Sequence, residues 1–118
     1  NWDAHLAESN FQTRSREILL RNLPRFLNEL GQYIHPFLFF WSNEGDPLEP
    51  VHVHISEGRA YANATKLWIT SAGKVIRCNN NSKIPENILK KLIRMIEANS
   101  SDIISEWKER FGEIRYFC

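Results

Sequence analysis

Two histidines, His52 and His54, stand two apart in the stretch EPVHVHIS, behind an acidic, proline-bearing loop that contains Glu44. On a β-strand successive side chains alternate between faces, so the imidazoles share one face and Val51, Val53 and Ile55 the other. The apolar face reads as core, which turns the imidazoles toward solvent or a cleft. At the usual strand rise they lie roughly 6 to 7 Å apart, close enough to hold one ion or one phosphate group. Three uses follow. As metal ligands they need a third and usually a fourth partner, and the candidates are Glu44, Asp46, Glu49 and His35. As acid and base, with an ordinary pKa of about 6.5, they suit proton transfer at neutral pH. With Arg59, Lys66 and Arg77 on neighbouring strands, such a pair would cleave RNA without a metal. The third use is as exposed structural or recognition groups. A His-x-His pair with no further His or Cys at ligand spacing is a weak metal pattern, so no metal and no cofactor is expected. The catalytic candidates are then His52, His54 and Glu44, the last orienting one imidazole.

These residues sit in the middle of a chain whose hydrophobic period changes twice. From Ile18, the residues Leu19, Leu20, Leu23, Phe26, Leu27 and Leu30 recur at helical spacing. Pro24 has no amide donor, so the spacing predicts a short helix ending near Arg21 and a second from Pro24 to Gly31. PFLFFWS, VHVHIS, YANATKLWIT and KVIRC are short runs rich in aromatic and β-branched residues, separated by turn-forming loops. They predict a meander of about four antiparallel strands, because the connections are too short for crossover helices. NNNSKIPEN closes the sheet. A helix then starts near Pro85 with Ile88, Leu89, Leu92, Ile93 and Ile96 on one stripe. Asn99 to Ser101 begin a second, which Gly112 ends. The predicted fold is α+β: a meander sheet covered by two C-terminal helices, with an N-terminal helical segment. The final EIRYFC is a candidate edge strand.

Size and charge bound the function. The 118 residues, 42% of them apolar, fit one domain with one core, read here as residues 1–118. A net charge of +1 gives no global basic excess to draw nucleic acid or a membrane. The longest apolar run, IHPFLFFW, is too short to span a bilayer, so a cytoplasmic protein is expected. Cys78 and Cys118 do not form a disulfide framework and read as reduced thiols. There is no Gly-rich phosphate loop, nucleophile elbow, His-Glu-x-x-His or Cys-x-x-Cys. An aromatic face around Phe40 or Trp41 is a candidate for stacking on a base, although such residues in short strands are more often core.

FFWSNEGDPLEPVHVHISEG, followed by NATKLWIT, a helical hairpin and a late EW...FG, resembles the bacterial family of domain of unknown function forty-one sixty. The resemblance runs over about residues 24–112 and leaves 1–23 as an N-terminal extension. The family pattern pairs a strand ending in Tyr or Trp and Ser-Asn-Glu with a Pro-His-x-His-Val strand; here Val51 stands between Pro50 and His52. The resemblance implies that Ser42, Asn43, Glu44, His52 and His54 cluster. It also implies a toxin-like component encoded beside a small antitoxin-like partner protein, with RNA as a further candidate partner. Trp41, Ser42, Asn43, Arg59 and Lys66 are the candidate binding residues. Two functions from different classes remain: an enzyme acting on RNA through the histidines, or a non-catalytic protein-binding module using the hairpin face and an open sheet edge.

Overall fold

The computed structural model describes residues 17–22, 25–27, 30–42, 44 and 47–118, the first of these as backbone alone. Four strands follow one another as the meander requires: β4 (Pro36–Trp41), β5 (His52–Glu57), β6 (Thr65–Ile69) and β7 (Val75–Asn79). Each pairs antiparallel with the next. β1 (Glu17–Asn22) adds a fifth strand beside β4, giving the order β1-β4-β5-β6-β7. The chain between β1 and β4 carries a small separate hairpin, β2 (Phe26–Leu27) against β3 (Tyr33–Ile34).

β1 corrects the N-terminal helical segment. Residues 17–22 form a strand, and of the two expected helices neither appears among the described residues of 17–34. Asn28 and Glu29 lie outside that description. Consecutive apolar residues such as Ile18, Leu19 and Leu20 satisfy a strand as readily as a helix, so spacing alone does not decide between them. Pairing decides it. β4 reads PFLFFW, apolar throughout, and its burial alternates little. Such a strand belongs inside a sheet, with neighbours on both sides, and β1 supplies the second neighbour.

Two helices complete the chain, α1 (Glu86–Ala98) and α2 (Ser100–Phe111). Pro85 precedes the first turn of α1, where its missing amide costs nothing. Gly112, at φ +83°, takes the left-handed conformation that ends α2. Leu38 and Phe40 of β4, Val53 and Ile55 of β5, and Leu67 and Ile69 of β6 face the helices. They form one core with Ile88, Leu89, Leu92 and Ile96 of α1 and Ile103 and Trp107 of α2. The NNNSK loop locks the far end of the sheet. Asn80 Oδ1 accepts from the buried Thr65 hydroxyl at 2.7 Å and from the Ile84 amide at 3.1 Å, and Ser82 Oγ donates to the Ile55 carbonyl at 2.9 Å. EIRYFC forms no strand. It runs past the sheet with two backbone contacts, Val51 N–H to Arg115 O at 2.8 Å and Ser71 N–H to Cys118 O at 3.2 Å. No helix among the described residues is long and apolar enough to cross a membrane, and both cysteines are free and exposed.

Candidate functional site

The site lies where the β4–β5 ladder stops. Paired residues run from Pro36↔Glu57 to Phe39↔His54, and no further. Beyond that pair the chain leaves β4 at Trp41 and turns, with the Glu44 amide donating to the Trp41 carbonyl at 3.3 Å. This turn carries the Glu44 side chain back over β5. Its Oε1 accepts the Trp41 backbone N–H at 2.5 Å. Its Oε2 meets Nε2 of His52, and Nε2 of His54 at 3.0 Å. Three ligating atoms, one from each residue, lie within 4.8 Å of one another.

The hydrogen bonds fix much of the protonation. The Pro50 carbonyl can only accept, so the Nδ1 of His52, 2.9 Å away, carries a proton and donates it. Burial pushes the Glu44 carboxyl up, but hydrogen bonds and charge from His52 and His54 outweigh it and bring the pKa from 4.5 down to about 2. An ionised carboxylate is acceptor-only. A cation, whether a proton or something larger, must therefore stand between Oε2 and the His52 Nε2. The Nδ1 of His54 is buried and makes no hydrogen bond.

The imidazoles do share a face, opposite Val51, Val53 and Ile55, but that face is closed. His52 is 0% exposed and His54 6%, which corrects the expectation of a face open to solvent or a cleft. Aromatic rings cover them. Phe39 stacks on His54 at 5.4 Å, while Trp68 and Trp107 stand edge-on to His52 at 5.5 and 5.1 Å. Phe117, from the C-terminal stretch, stacks in turn on Trp68 at 4.9 Å.

The other candidates divide. Trp41 is half-buried, edge-on to Phe39, and anchors Glu44 through its amide. Ser42 is half-buried at the same turn, and Asn43 lies outside the described residues. Lys66 stands opposite His54 in the ladder, but its ammonium pairs with Glu49 at 3.0 Å and lies 4.4 Å over the Trp68 ring. Arg59 is not brought to the cluster: it is exposed beyond the end of β5, and its carbonyl accepts from Ser56 Oγ. Arg77 is likewise committed elsewhere, to Glu86 at 2.7 Å. Of the four possible third ligands only Glu44 joins the histidines among the described residues; Glu49 holds Lys66, His35 is exposed, and Asp46 is outside the description. Phe40 packs in the core against Trp107 at 5.2 Å and offers no stacking surface.

Sequence reasoning missed Phe39, Trp68, Trp107 and the Pro50 carbonyl. Alternation alone would have put Phe39 and Trp68 on the histidine face once the register was known. Nothing local in the sequence announces Trp107, which arrives from α2.

A family model described as a domain of unknown function (DUF4160) matches residues 37–108, a span that holds β4, the whole cluster and most of α2. A second model, described as a family of unknown function (DUF6783), matches residues 1–23, of which the structure describes only 17–22. No curated protein and no solved structure matches the chain.

Proposed function

The chain belongs to the DUF4160 family of domains of unknown function, and on that premise we propose that it is the toxin-like member of a bacterial two-protein module, acting in the cytoplasm by binding a protein rather than by cleaving RNA. The observation that carries this choice is the closure of the histidine pair. A general acid or base must come within hydrogen-bond reach of the atom it serves. His52 has both ring nitrogens engaged, one by Pro50 and one by Glu44, under a cover of aromatic rings. A scissile phosphate would have to displace these partners to reach both imidazoles at once.

Exposed apolar surface that supports a binding role lies elsewhere. Leu27 and Tyr33 of the β2–β3 hairpin are 60% and 59% exposed, and Arg25 lies 5.3 Å over the Tyr33 ring. Aromatic residues with an adjacent arginine are the side chains that anchor protein interfaces. β7, with one strand neighbour among the described residues, adds a sheet edge on which a partner strand can pair beyond Val75, whose amide donates to Glu97 Oε2 at 3.0 Å. The partner in this reading is the small cognate antitoxin-like protein.

The test expresses the chain with the product of the adjacent gene. Leu27→Lys with Tyr33→Glu, oppositely charged across the hairpin pair and both at exposed positions, should abolish co-purification and growth arrest while leaving the unfolding curve in place. His54→Ala, assayed where its unfolding curve shows it folded, should leave both functions intact. The opposite pattern, arrest lost with His54 and kept without Leu27 and Tyr33, would restore the RNA-cleaving reading.

A further inference from the structure

We infer that Glu44, His52 and His54 form a binding site for one divalent transition-metal ion, zinc by preference, that staples the turn after β4 onto β5. The inference does not depend on the binding role proposed above. It starts from the convergence of three atoms of the right kinds. Nε2 of His52, Nε2 of His54 and Oε2 of Glu44 point into one volume, within 4.8 Å of one another. Two imidazoles and one carboxylate are a ligand set that zinc and its first-row neighbours accept, and that calcium and magnesium, which take oxygen, do not.

A second observation is independent of that spacing. His52 donates Nδ1–H to the Pro50 carbonyl at 2.9 Å. This is how a metal-ligating histidine is held: the outer nitrogen is fixed by a backbone acceptor, the tautomer is set, and the Nε2 lone pair is aimed inward. Glu44 is held in the same way, by the Trp41 N–H on Oε1, which leaves Oε2 for the ion. With Nδ1 of His52 protonated, either a second proton on Nε2 or a metal ion stands between that nitrogen and Glu44 Oε2, and the metal takes the place of the proton. Among the described residues, no lysine or arginine side chain joins the cluster. The nearest in the ladder, Lys66, is paired to Glu49. Arg77 is paired to Glu86.

The surroundings make the ion a staple rather than a reaction centre. Phe39, Trp68 and Trp107 wall the site with apolar rings, and Glu44, the most exposed of the three ligands, is 8% exposed. Such a shell strengthens the attraction of a carboxylate for a divalent cation and limits the approach of substrate. Three protein ligands leave one position of a tetrahedral ion for a further ligand.

The test uses the full chain with Cys78→Ser and Cys118→Ser, because exposed thiols at those positions would otherwise retain metal on their own. Chelator-stripped protein is reloaded with zinc, passed through gel filtration and assayed by elemental analysis. One equivalent per chain is expected, and His54→Ala and Glu44→Gln should each lower the affinity at least tenfold, roughly the loss that even an outer-shell change produces. Retention of only trace zinc by the parent overturns the inference, as does undiminished retention by both variants. Should either variant unfold, nitrogen NMR of the parent's histidine side chains decides. Zinc must move the Nε2 signals of His52 and His54 together and leave the His52 Nδ1–H in place. Signals that stay unchanged overturn the site.

Discussion

Glu44→Gln in the metal-stripped chain measures what the carboxylate contributes. Glu44 is buried and accepts from the Trp41 amide and both imidazoles. These partners hold its pKa near 2 against 4.5. At about 1.36 kcal/mol per pH unit, that difference corresponds to about 3 kcal/mol of folding stability. The figure agrees with the range of about 3–5 kcal/mol for removing one partner of a buried charged pair. Because the folded value lies below the unfolded one, the contribution is complete above 4.5 and disappears as pH falls toward 2. Glutamine does not titrate there. The stability gap between parent and variant should therefore be about 3 kcal/mol at neutral pH and close progressively below pH ~4.5.

The assay is urea unfolding followed by tryptophan fluorescence, at a series of pH values from neutral down to about pH 3, with slopes compared to confirm that both chains unfold in the same way. A gap that stays constant as pH falls through this window would refute the reasoning, since the carboxylate would then not be the group that the histidines hold. A gap near zero at neutral pH would refute it more directly: Glu44 would lie beside the imidazoles without interacting with them.

Substitutions at three further positions have expected outcomes. Trp107→Ala should cost about 3–5 kcal/mol in denaturant unfolding, because the ring packs on Phe40, Phe111 and His52 with no exposure. Trp107→Phe should cost clearly less, since the indole Nε1 it removes is buried without an acceptor. Asn80→Ala should cost about 1–3 kcal/mol in the same measurement, as it strips the acceptor from the Thr65 hydroxyl and the Ile84 amide. Gly112→Ala should lower stability by about 1 kcal/mol, read from the unfolding midpoint. The added Cβ meets nothing within 4 Å, and the cost is the left-handed backbone at φ +83°.

The four-strand meander was legible because each run is bounded by residues with a physical reason to turn. Pro85 and Gly112 marked helix ends for similar reasons, one lacking a donor and the other free to adopt positive φ. β1 was not legible. An apolar run of three or four residues carries no period of its own, and what made residues 17–22 a strand is the need of β4 for a second neighbour. The closure of the histidine face was hidden for the same kind of reason. Alternation gave the correct face for His52 and His54 but assumed that the face opposite the core is open. Its cover comes from Phe39 one strand away, Trp68 on the next, and Trp107 from a helix more than fifty residues downstream.

The cluster also explains why a Ser-Asn-Glu turn and a His-x-His strand work as one unit in this chain. The β4–β5 ladder ends at Phe39↔His54, so the Trp41 amide beyond it has no β5 carbonyl to meet. A buried amide without an acceptor is costly. Glu44 Oε1 supplies the acceptor that the strand does not, and in doing so brings a carboxylate into an aromatic enclosure. That charge requires its own partner, and the side chains of β5 that reach it are His52 and His54. Each part answers a need created by the previous one: the end of the ladder calls for the glutamate, and the buried glutamate calls for the histidines. A change that restored pairing at Trp41 would remove the reason for Glu44 to enter. A change that removed the histidines would leave the turn holding an unpaired buried carboxylate, so the turn and the strand are expected to tolerate substitution together better than either does alone.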